Sequence, residues 1–257
     1  MLDTAGRCWR ILATGLCFVL FGIGGLLLRV AVFPLLNALV WRRERRTAVA
    51  RTLIRLVLRA YVGLMRGLGV LRYDITGLER LQRGGLLILA NHPSLIDTVF
   101  LMAFVKRADC IVKAALWDNP FTRGPLQAAG YINNAGGEAM LAACLASLQQ
   151  GNNLIIFPEG TRTPGDGVIR LKRGAAHIAV RGARDITPVL IRCEPRTLGK
   201  GEKWWRVPAR RVHFRLDVQD DIAIRSYTQG GASDVMAARH LLEHLQHYFT
   251  GKQERHA

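Results

Sequence analysis

Between Arg10 and Arg29 the chain runs for eighteen residues, Ile11 to Leu28, without one charged side chain. Nothing restricts the fold more, because so apolar a segment must satisfy its own backbone, and a helix does so within one segment. At 1.5 Å rise per residue such a helix reaches about 27 Å, close to the hydrocarbon thickness of a bilayer. Apolar character resumes from Val30 to Val40. The run is too long for a cleaved signal peptide and lacks its A-x-A ending. Gly22, Gly24, Gly25 and Pro34 leave two forms open, a straight span and a kinked or re-entrant hairpin with Arg29 reaching to a headgroup. Trp41-Arg42-Arg43-Glu44-Arg45-Arg46 follows, and a basic flank behind an interfacial Trp marks the cytoplasmic side.

Residues 47–70 continue as a helical pattern. Arg51, Arg55 and Arg59 recur at four-residue spacing with Arg66 near the same stripe, opposite Leu53, Leu56, Val57, Ala60, Leu64 and Leu68. A helix of this kind lies in an anionic membrane surface or packs on a domain, and the apolar run beside it favours the membrane. The chain is thus expected to divide into a membrane-anchoring helical segment, 1–70, and an α/β domain, 71–257.

Strand patterns fall at 71–76, 86–90, 110–113, 153–157, 186–192 and 212–218. Helical patterns fill 95–105, 120–129, 137–150, 173–182 and 233–249, the last capped by Ser233 or Asp234, with a basic tail that runs off without clear order. This alternation predicts an α/β fold whose central sheet is mixed but largely parallel and flanked by helices. Five cysteines, odd in number and without C-x-x-C spacing, argue against a disulfide framework or zinc site and suit a reducing cytoplasm. The net charge of +17 clusters beside the apolar segment and comes with no nucleic-acid motif. It points to anionic lipid, phosphate headgroups and acidic carriers, with no nucleic acid among the partners.

Two strand ends carry the chemistry. Leu86-Leu87-Ile88-Leu89-Ala90 runs into Asn91-His92-Pro93-Ser94-Leu95-Ile96-Asp97. Loops at strand C-termini collect ligands in α/β sheets. Ser94 is placed to cap a helix from Leu95, so that Asp97 in its first turn reaches back to His92. A carboxylate on one ring nitrogen fixes the tautomer and leaves the other to take a proton. All of these are also ordinary turn and cap residues, and H-x4-D alone arises by chance. A second cluster strengthens the reading: Asn153-Leu154-Ile155-Ile156-Phe157 runs into Pro158-Glu159-Gly160-Thr161-Arg162. Glu159 and Arg162 either face a substrate or pair with each other. Ser94 is not read as a nucleophile, since the chain has no G-x-S-x-G elbow.

Together NHPSLID and FPEGTR resemble the first and third signature blocks of the glycerolipid acyltransferase family, the 1-acylglycerol-3-phosphate acyltransferases. Leu171-Lys172-Arg173-Gly174-Ala175-Ala176 resembles the family's lysine-glycine stretch, and Thr187-Pro188-Val189 its fourth block. The resemblance covers roughly residues 75–195, in the family's order. It implies transfer of a fatty acyl group from a thioester, acyl-ACP (acyl carrier protein) or acyl-CoA, to a hydroxyl of a lysophospholipid acceptor, with no metal, no cofactor and no acyl-enzyme. His92 is then the base and Asp97 its orienter. Arg162 holds an anionic headgroup through a bidentate fork, and Glu159 accepts an acceptor hydroxyl. Gly160 lets the backbone approach closely, Thr161 beside it counts among the substrate-binding residues, and Lys172 and Arg173 add positive potential. The implied place is the inner membrane, with the catalytic domain facing the cytoplasm. The second block departs from the pattern: Asn133-Asn134 is followed by Ala135 where the family usually carries an arginine. That departure opens the acceptor to other lipids, ornithine-type or specialised, while a non-catalytic lipid- or carrier-binding protein is the alternative of another class.

Overall fold

A computed structural model of the chain describes residues 2–134, 136–165, 168–229 and 233–254. Ala135, after the departing second block, and the tail 255–257 lie outside the described residues.

The N-terminal apolar run is one continuous helical rod. It comprises α1 (Leu2–Leu27), a π turn (Leu28–Val32) and α2 (Phe33–Leu39). The widened turn precedes Pro34, which has no N–H, and the Phe33 N–H donates to the Leu28 carbonyl five residues back. A second long helix, α3 (Arg43–Gly67), follows, and then the wound domain. Its strands are β1 (Leu71–Thr76), β2 (Leu87–Ala90), β3 (Ala108–Val112), β4 (Ile132–Asn133), β5 (Asn153–Ile156), β6 (Ile186–Glu194) and β7 (Val212–Val218). Its helices are α4 (Ile96–Phe104), α5 (Ala115–Asp118), α6 (Arg123–Ala129), α7 (Gly137–Gln149), α8 (Gly174–Arg181), α9 (Arg225–Thr228) and α10 (Asp234–Glu254).

The seven strands lie in the order β1-β7-β6-β2-β5-β3-β4, parallel throughout except for β6 against β7. The expected mixed, largely parallel sheet is what forms. β2 is central and fully buried, so it reads as an unbroken apolar run while its side chains alternate between two cores. Ile88 and Ala90 join Phe100, Phe214, Met65 and Ile54 on one face; Leu87 and Leu89 join Leu148, Ile178, Leu241 and Phe249 on the other. Two-residue β4 and the single-turn helices α5 and α9 are too short for any periodicity to announce.

The helix expected over 47–70 forms as α3. Its arginine stripe turns toward the domain: Arg51 pairs with buried Asp109 at 2.7 Å, and Arg59 and Arg66 each lie 5.4 Å from the ring centres of Phe104 and Tyr73. Asp109 on β3 needs a cation once buried, and guanidinium planes stack well on aromatic rings. Leu56, Val57 and Leu64, on the other side, are exposed.

The apolar rod lies along the domain instead of leaving it. The Arg7 Nε donates to the Val207 carbonyl, Trp9 Nε1 to Leu68, and Arg29 Nη1 to Pro120. Midway, the Trp204 ring fits against Gly15, where a Cβ would come within 3.1 Å of it, and meets Phe18. Of the tryptophan pair, Trp204 thus packs on α1, and both rings keep an exposed edge.

Candidate functional site

Parallel pairing of β2 with β5, Leu89 opposite Ile156, delivers both motif loops to the same end of the sheet. Asn91 anchors the first of them. Its side chain donates to the Ile191 carbonyl at 2.8 Å and accepts the Ile191 N–H at 2.7 Å, a two-bond bridge to β6. Beyond it, His92 Nδ1 lies 2.9 Å from Asp97 Oδ2, and the imidazole stacks on Phe157 with ring centres 4.1 Å apart. The predicted His–Asp contact is present.

The expected Ser94 cap is corrected. α4 starts one residue later than a Ser94 cap requires, and the Ser94 hydroxyl reaches the Ile96 N–H only at 3.5 Å. The capping runs the other way: Asp97 Oδ2 accepts the Ser94 N–H at 2.6 Å, so one carboxylate oxygen holds both the turn and the imidazole. Asp97 is fully buried, and its Oδ1 has no hydrogen-bond partner among the described residues. Burial pushes this carboxyl up to about 6, against the lowering pull of His92, the Ser94 amide and Arg162.

The second loop lies beneath and beside the first. Glu159 Oε1 accepts the His92 N–H at 2.9 Å, and burial raises its carboxyl above the ordinary glutamate value. Glu159 and Arg162 form no ion pair among the described residues. Arg162 Nη1 donates instead to the carbonyls of Leu198 and Gly199, each at 2.8 Å. Gly160 has φ +67°, and a Cβ there would meet the Lys172 side chain at 2.9 Å, so only glycine suits the position. The Lys172 N–H ties to the Pro158 carbonyl at 2.8 Å, which brings Lys172 and Arg173, at the start of α8, to the edge of the site. Thr161 is half-buried. Asn133 and Asn134 stand apart, at the β4 edge of the sheet.

Sequence reasoning missed two residues that shape the site. Asn91 was legible only as a turn residue, and its bridge to β6 is a tertiary fact. Thr163 lies just past the FPEGTR block, and its N–H donates to the His92 carbonyl at 2.7 Å.

The acyltransferase family model matches residues 72–192. A 1-acyl-sn-glycerol-3-phosphate acyltransferase of Helicobacter pylori is 34% identical over 131 residues, 46% of this chain and 55% of that protein. One of Pseudomonas aeruginosa is 28% identical over 134 residues, 50% and 52% of the two chains. The chain thus spans about half the length of these curated relatives. The crystal structure of the 1-acyl-sn-glycerophosphate (LPA) acyltransferase PlsC from Thermotoga maritima has the same fold, with a TM-score of 0.70 over 99% of each chain at 19% identity.

Proposed function

We propose that this chain, whose residues 72–192 match the acyltransferase family model, moves a fatty acyl group from an acyl thioester to a hydroxyl of a lysophospholipid. The observation that carries this reading is the 2.9 Å contact between His92 Nδ1 and buried Asp97. With Nδ1 so held, Nε2 takes the proton of the acceptor hydroxyl, and Asp97 steadies the imidazolium. The acceptor oxygen attacks the thioester carbonyl, the C–S bond breaks, and the thiolate leaves with the proton returned from His92. A thiolate leaves readily, so the enzyme supplies mainly a base and positioning.

The acceptor we favour is 1-acylglycerol-3-phosphate, the substrate in the names of both bacterial relatives. A guanidinium has five N–H donors, and Arg162 commits its Nη1 to two carbonyls, so its Nε–Nη2 edge is the fork for a phosphate. Lys172 and Arg173 add positive potential, and Gly160 with Thr161 lets the headgroup approach the backbone. The departure at Asn134-Ala135 favours a second reading, an ornithine-type or specialised lipid acceptor. The donor is acyl-ACP or acyl-CoA.

We place the protein on the cytoplasmic face of the inner membrane. The rod from Thr4 to Leu39 is long and apolar enough to cross a bilayer, yet only 17% of its most apolar window is buried in the protein. Leu12, Leu16, Val19 and Ile23 are exposed, as are Leu56 and Val57 of α3. Since the rod is tied to the domain from Arg7 to Arg29, a seat within one leaflet suits it better than a full span. Acyl transfer from a labelled acyl thioester to lysophospholipid in vesicles, by wild type and His92→Ala, tests the reading. Equal rates would sink His92 as the base, and no transfer to any lysolipid by wild type would favour a non-catalytic lipid-binding protein.

A further inference from the structure

His92 sits in a loop with no regular backbone pairing of its own, yet both of its main-chain groups are held. Its N–H donates to Glu159 Oε1 at 2.9 Å. Its carbonyl accepts the Thr163 N–H at 2.7 Å. The Thr163 hydroxyl then donates to the same Glu159 Oε1 at 2.9 Å, which closes a ring of three hydrogen bonds. The ring is dry: Glu159 is 4% exposed and Thr163 2%. Glu159 Oε2 is sealed from solvent and takes no hydrogen bond among the described residues. One carboxylate oxygen is occupied and the other closed off, so neither is presented to an acceptor hydroxyl.

We propose that Glu159 and Thr163 are positioning residues that hold the backbone of His92, so that its imidazole meets Asp97 and the acceptor oxygen together. This assignment rests on the reading of His92 as the base, and it replaces the expected contact between Glu159 and the acceptor. A carboxylate suits the task because one of its oxygens takes two donors at once, in bonds stronger than those to a neutral acceptor. The hydroxyl of Thr163 fixes which oxygen that is. Misplacing a catalytic group by about 1 Å is enough to cost about a hundredfold in rate. The clamp therefore acts on turnover and leaves substrate affinity alone.

The test measures kcat and both Michaelis constants of the full-length protein in vesicles containing lysophospholipid. Thr163→Val keeps the N–H and the volume but removes the hydroxyl, and Thr163→Ser restores it. We expect Thr163→Val to lower kcat about tenfold, which is about 1.4 kcal/mol of barrier, with both Michaelis constants within about twofold of wild type. Thr163→Ser should return kcat to near the wild-type value. Glu159→Ala should lower kcat about a hundredfold by the same displacement of His92, again without raising the acceptor's Michaelis constant. A Thr163→Val enzyme with wild-type kcat overturns the proposal, as does a Thr163→Ser enzyme that stays as slow as the valine variant. A Glu159→Ala enzyme that keeps kcat while the acceptor's constant rises overturns it in favour of direct acceptor binding. His92→Ala is assayed alongside. If it is inactive while Thr163→Val is normal, the clamp alone fails; if it stays active, the base itself is misassigned.

Discussion

Replacing Asp97 by asparagine separates what this carboxylate does for the reaction from what its burial does to the fold. Asp97 is fully enclosed, and its carboxyl stands near 6 where an ordinary aspartate stands at 3.8. The largest cause is desolvation, which outweighs the opposing pull of His92, the Ser94 amide and Arg162. At about 1.36 kcal/mol per pKa unit, that gap amounts to about 3 kcal/mol. Its sign follows from which state binds the proton more tightly. The folded protein does, so the contribution is stabilising in full below the unfolded value and is lost as pH rises through the folded one. Asparagine does not titrate. The unfolding free energy of wild type, minus that of Asp97→Asn, should therefore fall by about 3 kcal/mol between about pH 3 and about pH 7. Any fixed penalty for burying the new amide cancels from that pH dependence. Urea unfolding in mild detergent across this range measures it. Parallel curves, or a wild type that gains on the variant as pH rises, would refute the reasoning. Activity runs the opposite way: at neutral pH the variant should lose about 10²- to 10⁴-fold in acyl transfer. In wild type, turnover should decline as pH drops below about 6, where Asp97 takes up its proton.

Three further outcomes follow from other parts of the molecule. Arg51→Ala strands buried Asp109, whose remaining side-chain bonds come from the Ser147 hydroxyl and the Cys110 N–H, and should destabilise the fold by about 3–5 kcal/mol in the same unfolding assay; a loss below about 1 kcal/mol would show the pair to be dispensable. Arg162→Ala should raise the acceptor's Michaelis constant about tenfold or more, the worth of a lost charged hydrogen bond, and an unchanged constant across acceptor concentrations counts against a headgroup role. Leu12→Asp combined with Ile23→Asp, both on the exposed side of the apolar rod, should weaken binding to anionic vesicles by about a hundredfold or more. Co-sedimentation with vesicles measures this, and undiminished binding would remove the rod from the membrane.

Much of this architecture is legible along the chain, because its strongest signals are local. Leu87 to Ala90 and Asn153 to Ile156 are unbroken apolar runs, and only a strand buried on both faces needs such a run. The polar residues that follow each run mark the sheet end where both motif loops meet, and the spacing of His92 and Asp97 suffices to predict their contact. Orientation is harder to read. Four-residue spacing groups Arg51, Arg59 and Arg66 on one side of α3, but it does not say that the side faces Asp109, Phe104 and Tyr73, which come from elsewhere in the chain. Glu159 is illegible for the same reason. Its identity suggests a ligand for substrate, whereas the bond it makes in the fold depends on where the main chain of His92 points. Asn91 and Thr163 look like common turn residues until β6 and the His92 carbonyl are brought to them.

The central place of β2 has a further consequence, in time. Its partners are β5, more than sixty residues downstream, and β6, about a hundred; the Asn91–Ile191 bridge joins residues a hundred apart. Contacts of such long sequence separation form late, since the intervening chain must be ordered before they contribute. The apolar rod needs no such wait, because its hydrogen bonds close within single turns. As the chain emerges from its N-terminus, the segment suited to lipid is complete well before the strand that steadies His92 has been made. Synthesis thus completes the apolar rod first and the candidate site second.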